Sequence, residues 1–237
     1  MNIPFKNNCI NFYSLDNNFE SLKNVFPNSY SGVFNTSEKC IEFSGNQYID
    51  FPLSALNLPS HDFSIVLQVK NLKFDSGNKG ILWIGSLGSN NPTWSKGLYY
   101  HSSKGLIFGC ANGGNVYGWG YAIPNGTSLF NIINDFDTIV ITDTKECSKL
   151  YINGQFIATC DNPGITPTSG NIMLGKHDGY CNGLYRNLGS YNIAFTEEQV
   201  KQINFKYESP SPRIKDSVLG TILNHEYFKH LTFGEGE

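Results

Sequence analysis

Three short stretches of this 237-residue chain carry the side chains best suited to chemistry. "SNNPTWSKGLYYHS" (89–102) sets Trp94 and Tyr99 among Asn, Pro and Ser. "ANGGN" (111–115) adds Asn112 and Asn115, and "GKHDGYCNG" (175–183) adds His177, Asp178 and Tyr180. Sugars are held by aromatic rings stacked on their C–H faces and by amide and carboxylate groups that fix the hydroxyls. These seven residues are therefore the candidate carbohydrate contacts. Trp94 leads, because core packing does not readily explain a Trp in a polar loop. Each of the others has a plainer competing role. Asn and Gly make turns, Tyr99 and Tyr100 alternate between strand faces, and His177-Asp178 can close a turn between strands.

Other chemistries find less support. Glycoside hydrolysis needs two carboxylates flanking the scissile bond, about 5–5.5 Å apart for retention. Asp135 and Asp137 stand close together at the start of an apolar strand, where a solvated strand end is the simpler role. His61, His101, His177, His225 and His230 are scattered, and the last two sit at a spacing that does not suit a metal pair on one helix face. "GCANGGN" (109–115) lacks the Lys and the following helix of a phosphate loop. The net charge is −3, with no basic run, so nucleic acid is not an expected partner. No apolar stretch approaches the length of a membrane span. The six cysteines form no CxxC pair, which argues against a zinc site of ordinary spacing.

The elements that must hold these residues are strands. Charged residues make up only 16% of the chain, so its polar surface comes mostly from Asn, Ser, Thr and Gly, a turn-rich composition. Apolar runs with turn signals between them recur, among them "KCIEFSG" (39–45), "FSIVLQVK" (63–70), "GILWIGS" (80–86), "GLIFGCA" (105–111), "VYGWGYAI" (116–123), "FDTIVITD" (136–143) and "QFIATC" (155–160). Many short strands at regular spacing predict a sandwich. Asn153-Gly154 predicts a two-residue hairpin that pairs Ile152 with Gln155 and Tyr151 with Phe156. Carried outward, that register sets Cys147 opposite Cys160 and makes them the disulfide candidate. A second hairpin around Gly113-Gly114 sets Cys110 opposite Tyr117, Phe108 opposite Trp119 and Leu106 opposite Tyr121 on one core-facing side. Thr196 is an N-cap for "TEEQVKQIN". After the "ESPSPR" linker (208–213), Val218, Leu219, Ile222 and Leu223 recur at helical spacing.

The ordered set "FDTIVIT…KLYINGQFIATC…NIMLGKHDGYCNGLYRNLGSYNIAFTEEQV" resembles the laminin-G-like, concanavalin-A-like lectin/glucanase superfamily. "IEFSGNQYIDFP" and "DFSIVLQVK" are similar to that family's opening strands, and the likeness runs over roughly residues 38–205. Phe136 stands where the family usually has Trp. Arg186 and Asn187 stand where it often has acidic residues near a calcium-binding rim. The E-x-D-x-E signature of the family's glucanases does not occur.

The expectation is an all-β, antiparallel jelly-roll β-sandwich with a short C-terminal helical extension. Residues 1–37 would form an N-terminal extension or first strand, 38–207 the sandwich, and 208–237 a linker and tail helix. The expected role is non-catalytic, lectin-like adhesion on a cell or virion surface, with a glycan or surface polysaccharide as partner and the tail open to a protein partner. No cofactor is expected beyond a calcium ion implied by the resemblance. The N-terminus shows no signal peptide, so an extracellular or virion location would be reached another way. The alternatives are a structural, decoration or oligomerisation domain of a larger assembly, and, less favoured, a glycoside hydrolase.

Overall fold

The computed structural model describes residues 3–74, 77–86, 94–103, 105–112, 115–123, 136–161 and 163–203, with the backbone alone for Trp94 and for the strand residues between 111 and 123. The tail carrying Val218 to Leu223, and Asp135, lie outside the described residues. The strands in chain order are β1 (Cys9–Tyr13), β2 (Ser29–Tyr30), β3 (Val33–Asn35), β4 (Cys40–Phe43), β5 (Ile49–Pro52), β6 (Phe63–Lys70), β7 (Lys79–Gly85) and β8 (Trp94–His101). They continue as β9 (Gly105–Asn112), β10 (Asn115–Ile123), β11 (Asp137–Asp143), β12 (Ser148–Ile152), β13 (Gln155–Cys160), β14 (Asn171–Leu174) and β15 (Gly183–Tyr191), followed by one short helix, α1 (Glu197–Lys201). Thr196 caps α1 in a reciprocal capping box with Gln199, as its sequence predicts.

Among the described residues the strands form two antiparallel sheets. One runs β13-β12-β11-β6-β15-β4-β3, with β1 also paired to β15; the other runs β10-β9-β8-β7-β14-β5-β2. The result is the expected antiparallel β-sandwich. The first 37 residues contribute to it directly: β1 pairs with β15, β3 with β4, and β2 with β5. The core lies between the sheets and is built from alternate positions, such as Ile65, Leu67 and Val69 on β6 facing Leu106, Phe108 and Cys110 on β9. Large rings such as Tyr13, Tyr185, Phe43 and Phe51 are fully buried. Each contributes roughly 1.5–3 kcal/mol by leaving water, so a chain of this size folds without covalent staples.

Two register predictions need correction, and both fail for the same reason. Asn153 and Gly154 take φ of 52° and 80°, as a type I′ turn requires, and Tyr151 faces Phe156 as predicted. The register then slips between Leu150 and Tyr151, so that Ser148, not Cys147, faces Cys160. All six cysteines are thiols. In the second hairpin Tyr117 faces Cys110 as predicted, but a further slip sets Gly120 opposite Phe108 and Tyr121 opposite Ile107. Trp119 therefore does not face Phe108. In each case a bulge inserts an extra residue that turn chemistry alone does not reveal.

Candidate functional site

The side of the second sheet facing away from the core carries an aromatic cluster of Trp83, Tyr99 and Ile107, with Met173 packed against it. Trp83 lies over Gly97, its partner across β7 and β8. A Cβ at Gly97 would fall inside contact distance of the Trp83 ring and 2.8 Å from the Leu82 carbonyl oxygen, so the glycine makes room for the indole. Tyr99 follows two positions along the same strand face and meets Trp83 edge-on at 6.2 Å between centroids.

The loop after β14 closes over this cluster. It is pinned to β7 by backbone bonds: Gly175 N–H donates to the Ile81 carbonyl at 3.1 Å and Gly80 N–H to the Gly179 carbonyl at 3.3 Å. Internal bonds from His177 N–H to the Gly179 carbonyl and from Cys181 N–H to the Gly175 carbonyl hold it as a tight turn. A side chain at Gly80 would overlap the Lys176–His177 peptide, so the loop sits where only glycine allows it. His177 stacks on Tyr99, with centroids 4.7 Å apart and planes 12° apart, and meets Trp83 at 4.2 Å. Its Nδ1 is 3.4 Å from Asp178 Oδ1, without the alignment of a hydrogen bond, so this buried nitrogen has no hydrogen-bond partner among the described residues. Burial lowers the His177 pKa, and the nearby Asp178 carboxylate opposes that shift in part.

Beside this buried pair the same loop presents a half-exposed surface. Lys176 Nζ lies 4.3 Å above the Tyr48 ring centroid and 5.6 Å from that of Tyr180, and the two tyrosine rings are 6.0 Å apart. Asp178 is 63% exposed and accepts a hydrogen bond from the Asn78 amide at 3.3 Å. On β5, Asp50 accepts from Asn171 and Asn28, and burial raises its pKa against those bonds and the Lys176 charge. Two tyrosine rings, a carboxylate, an ammonium and an amide thus meet on one backbone-fixed rim.

The predicted residues fall into two groups. Tyr99, His177, Asp178 and Tyr180 belong to this region, but Tyr99 is only 7% exposed and supports the loop from beneath rather than meeting solvent. Trp94, Asn112 and Asn115 form a second group, one paired row across β8, β9 and β10. That row lies five positions from Tyr99 along β8, about 17 Å at strand spacing. Trp83, Tyr48, Lys176 and Asn78 escaped the sequence reading. Trp83 is hidden in a strand buried on both faces, where no alternation shows, and Tyr48 and Asn78 reach the loop only through the fold.

The remaining polar clusters are structural. Asp137 Oδ1 accepts a 2.6 Å hydrogen bond from Asn153 Nδ2, which ties β11 to the hairpin turn. Between the sheets, the buried Asp143 carboxylate takes Lys96 Nζ at 2.5 Å, Ser148 Oγ at 2.5 Å and His61 Nδ1 at 3.2 Å. This is not a nucleophile arrangement, because the carboxylate, not the imidazole, touches the serine. The positions that resemblance links to calcium do not fit the ion. The Arg186 guanidinium lies 3.6 Å over the Phe136 ring, and the Asn187 amide donates to Gln68. Among the described residues no group of three or more His, Cys, Asp or Glu side chains could hold a metal.

Residues 43–201 match the family model described as the concanavalin A-like lectin/glucanases superfamily. The chain belongs to that superfamily. Its fold recurs in domain 4 of AbnA, an extracellular arabinanase from Geobacillus stearothermophilus solved in complex with arabinotriose, at 18% identity and TM-score 0.59, covering 82% of this chain and 97% of that one. Trypanosoma rangeli sialidase, solved with 2,3-difluorosialic acid, matches at 16% identity and TM-score 0.58 over 82% of this chain. This superfamily member spans only 32% of the sialidase chain. The botulinum neurotoxin serotype D binding domain matches at 14% identity and TM-score 0.53, covering 83% of this chain and 51% of that one. No protein of curated function matches the sequence. At these identities the likeness establishes the fold alone.

Proposed function

We propose that this superfamily member is a non-catalytic carbohydrate-binding module, an adhesion domain displayed on a cell or virion surface, and that its glycan rests on the rim of Tyr48, Lys176, Asp178 and Tyr180. The observation that carries this reading is the backbone-fixed loop of residues 175–182, which holds the Tyr180 ring, the Lys176 ammonium and the Asp178 carboxylate and sets Lys176 over the ring of Tyr48, beside β5. Tyrosine rings suit the C–H faces of a sugar, and the charged groups suit its hydroxyls. A rim held in place by hydrogen bonds loses little entropy when a ligand binds. The arabinotriose complex of the arabinanase domain gives a precedent for a sandwich of this fold holding a sugar chain without being a whole enzyme.

A second reading is favoured by a different observation. Leu22, Phe26, Tyr30 and Val33 are exposed by 48%, 60%, 55% and 62% on one short segment. Such a patch suits an oligomerisation or assembly contact. A glycan array run with and without calcium, beside sedimentation of the same protein, separates the two. Binding to a defined set of glycans by a monomer supports the module reading. Tight self-association with no glycan bound supports the assembly reading, and hydrolysis of a polysaccharide overturns both.

A further inference from the structure

Two rows of residues face each other across the core beneath β8, β9, β11, β12 and β13. In the second sheet Lys96 pairs with Cys110; in the first, Asp143 pairs with Ser148 and Ser148 with Cys160. The Lys96–Asp143 ion pair crosses between the sheets and fixes how the two rows oppose one another. Cys110 is the next position after Lys96 in its row, and Cys160 lies one strand beyond Ser148 in the other. Cys110 and Cys160 are both core residues, 2% and 1% exposed, contributed by opposite sheets and in side-chain hydrogen-bond contact. A small cavity of about 20 Å3 adjoins Lys96, Cys110 and Ser148, leaving the Cys110 thiol room to adjust. The expected partner of Cys160 was Cys147. The β12–β13 slip moves Cys147 out of register and leaves Cys110 in the opposing position.

We propose that Cys110 and Cys160 form a cross-sheet disulfide when the chain folds under oxidising conditions, stapling β9 to β13. The oxidant is a small-molecule disulfide such as oxidised glutathione. One cysteine thiolate attacks a glutathione sulfur and expels a glutathione thiolate. The second cysteine thiolate then attacks the mixed disulfide and expels the other glutathione. The two cysteine sulfurs are oxidised, one glutathione disulfide is reduced, and the two cysteine protons end on the two glutathione thiols. The mutual contact and burial raise the Cys110 pKa, so the folded interior disfavours the attacking thiolate. Exchange therefore proceeds during folding, or while the edge strand β13 is open.

The test refolds the full chain with oxidised and reduced glutathione, alkylates the remaining thiols, and maps linked peptides by mass spectrometry without reduction. The expected result is four alkylated cysteines and a Cys110–Cys160 link. Six alkylated cysteines, or a Cys147–Cys160 link, would overturn the proposal. The bond closes a loop of about 50 residues, so the oxidised protein should unfold on the order of 10 °C above the reduced one. A Cys110→Ala, Cys160→Ala double variant should show no redox-dependent difference. An equal unfolding midpoint for oxidised and reduced wild-type protein would overturn the staple.

Discussion

The His177 imidazole lies flat on the Tyr99 ring, 4.7 Å between centroids and 12° between planes. This stack ties the candidate binding loop to the second sheet beside the backbone bonds to β7, because Tyr99 belongs to β8 and His177 to the loop after β14. Loosening the stack removes the side-chain tie and leaves the loop that carries Asp178 and Tyr180 held by its backbone bonds to β7 alone.

The stack makes stability depend on pH. Burial lowers the folded-state pKa of His177 below its unfolded value of about 6.5, so the unfolded chain binds the proton more readily. The stabilisation is fully present above pH ~6.5 and is lost as pH falls from there through the lowered folded-state value. Thermal unfolding from pH 8 to pH 5 should show a falling midpoint, and His177→Gln should flatten that fall. An identical pH slope in the variant would contradict the burial of His177.

Gly97 gives the Trp83 indole its space. Gly97→Ala puts a methyl group against the ring and the Leu82 carbonyl, so it should lower stability by about 1–3 kcal/mol and shift tryptophan emission. Urea unfolding followed by fluorescence reads both. Unchanged stability and emission would place Trp83 elsewhere.

Asp143 holds Lys96, Ser148 and His61 inside the sandwich. Asp143→Ala strands a buried ammonium and should cost about 3–5 kcal/mol. The double variant Lys96→Met, Asp143→Leu should recover most of that loss, because a well-packed apolar pair needs no desolvated charge. A double-mutant cycle in urea checks it; simple additivity would show that the two groups do not interact.

Much of the fold is legible in the sequence. "FSIVLQVK" and "QFIATC" match β6 and β13 to the residue, and Thr196 caps α1 as its spacing implies. The site is less legible. His177, Asp178 and Tyr180 were visible as a polar loop between strands, but Tyr48 lies more than a hundred residues away and reaches Lys176 only because β5 and β14 are neighbours. Trp83 sits in a strand whose two faces are both covered, so its hydrophobic run carries no period to say which side is which. The cysteine pairing failed at a single bulge, since one extra residue turns every side chain beyond it to the other face.

The central claim is that the Tyr48–Tyr180 rim holds a glycan. Its most direct test measures the affinity of the wild-type protein, Tyr48→Ala and Tyr180→Ala for the strongest glycan found on an array, by calorimetry, with thermal unfolding as a control on folding. The account predicts that each variant keeps the wild-type fold and binds at least tenfold more weakly, a loss of about 1.4 kcal/mol. Wild-type affinity in both variants, or no glycan bound by the wild-type protein, would contradict it.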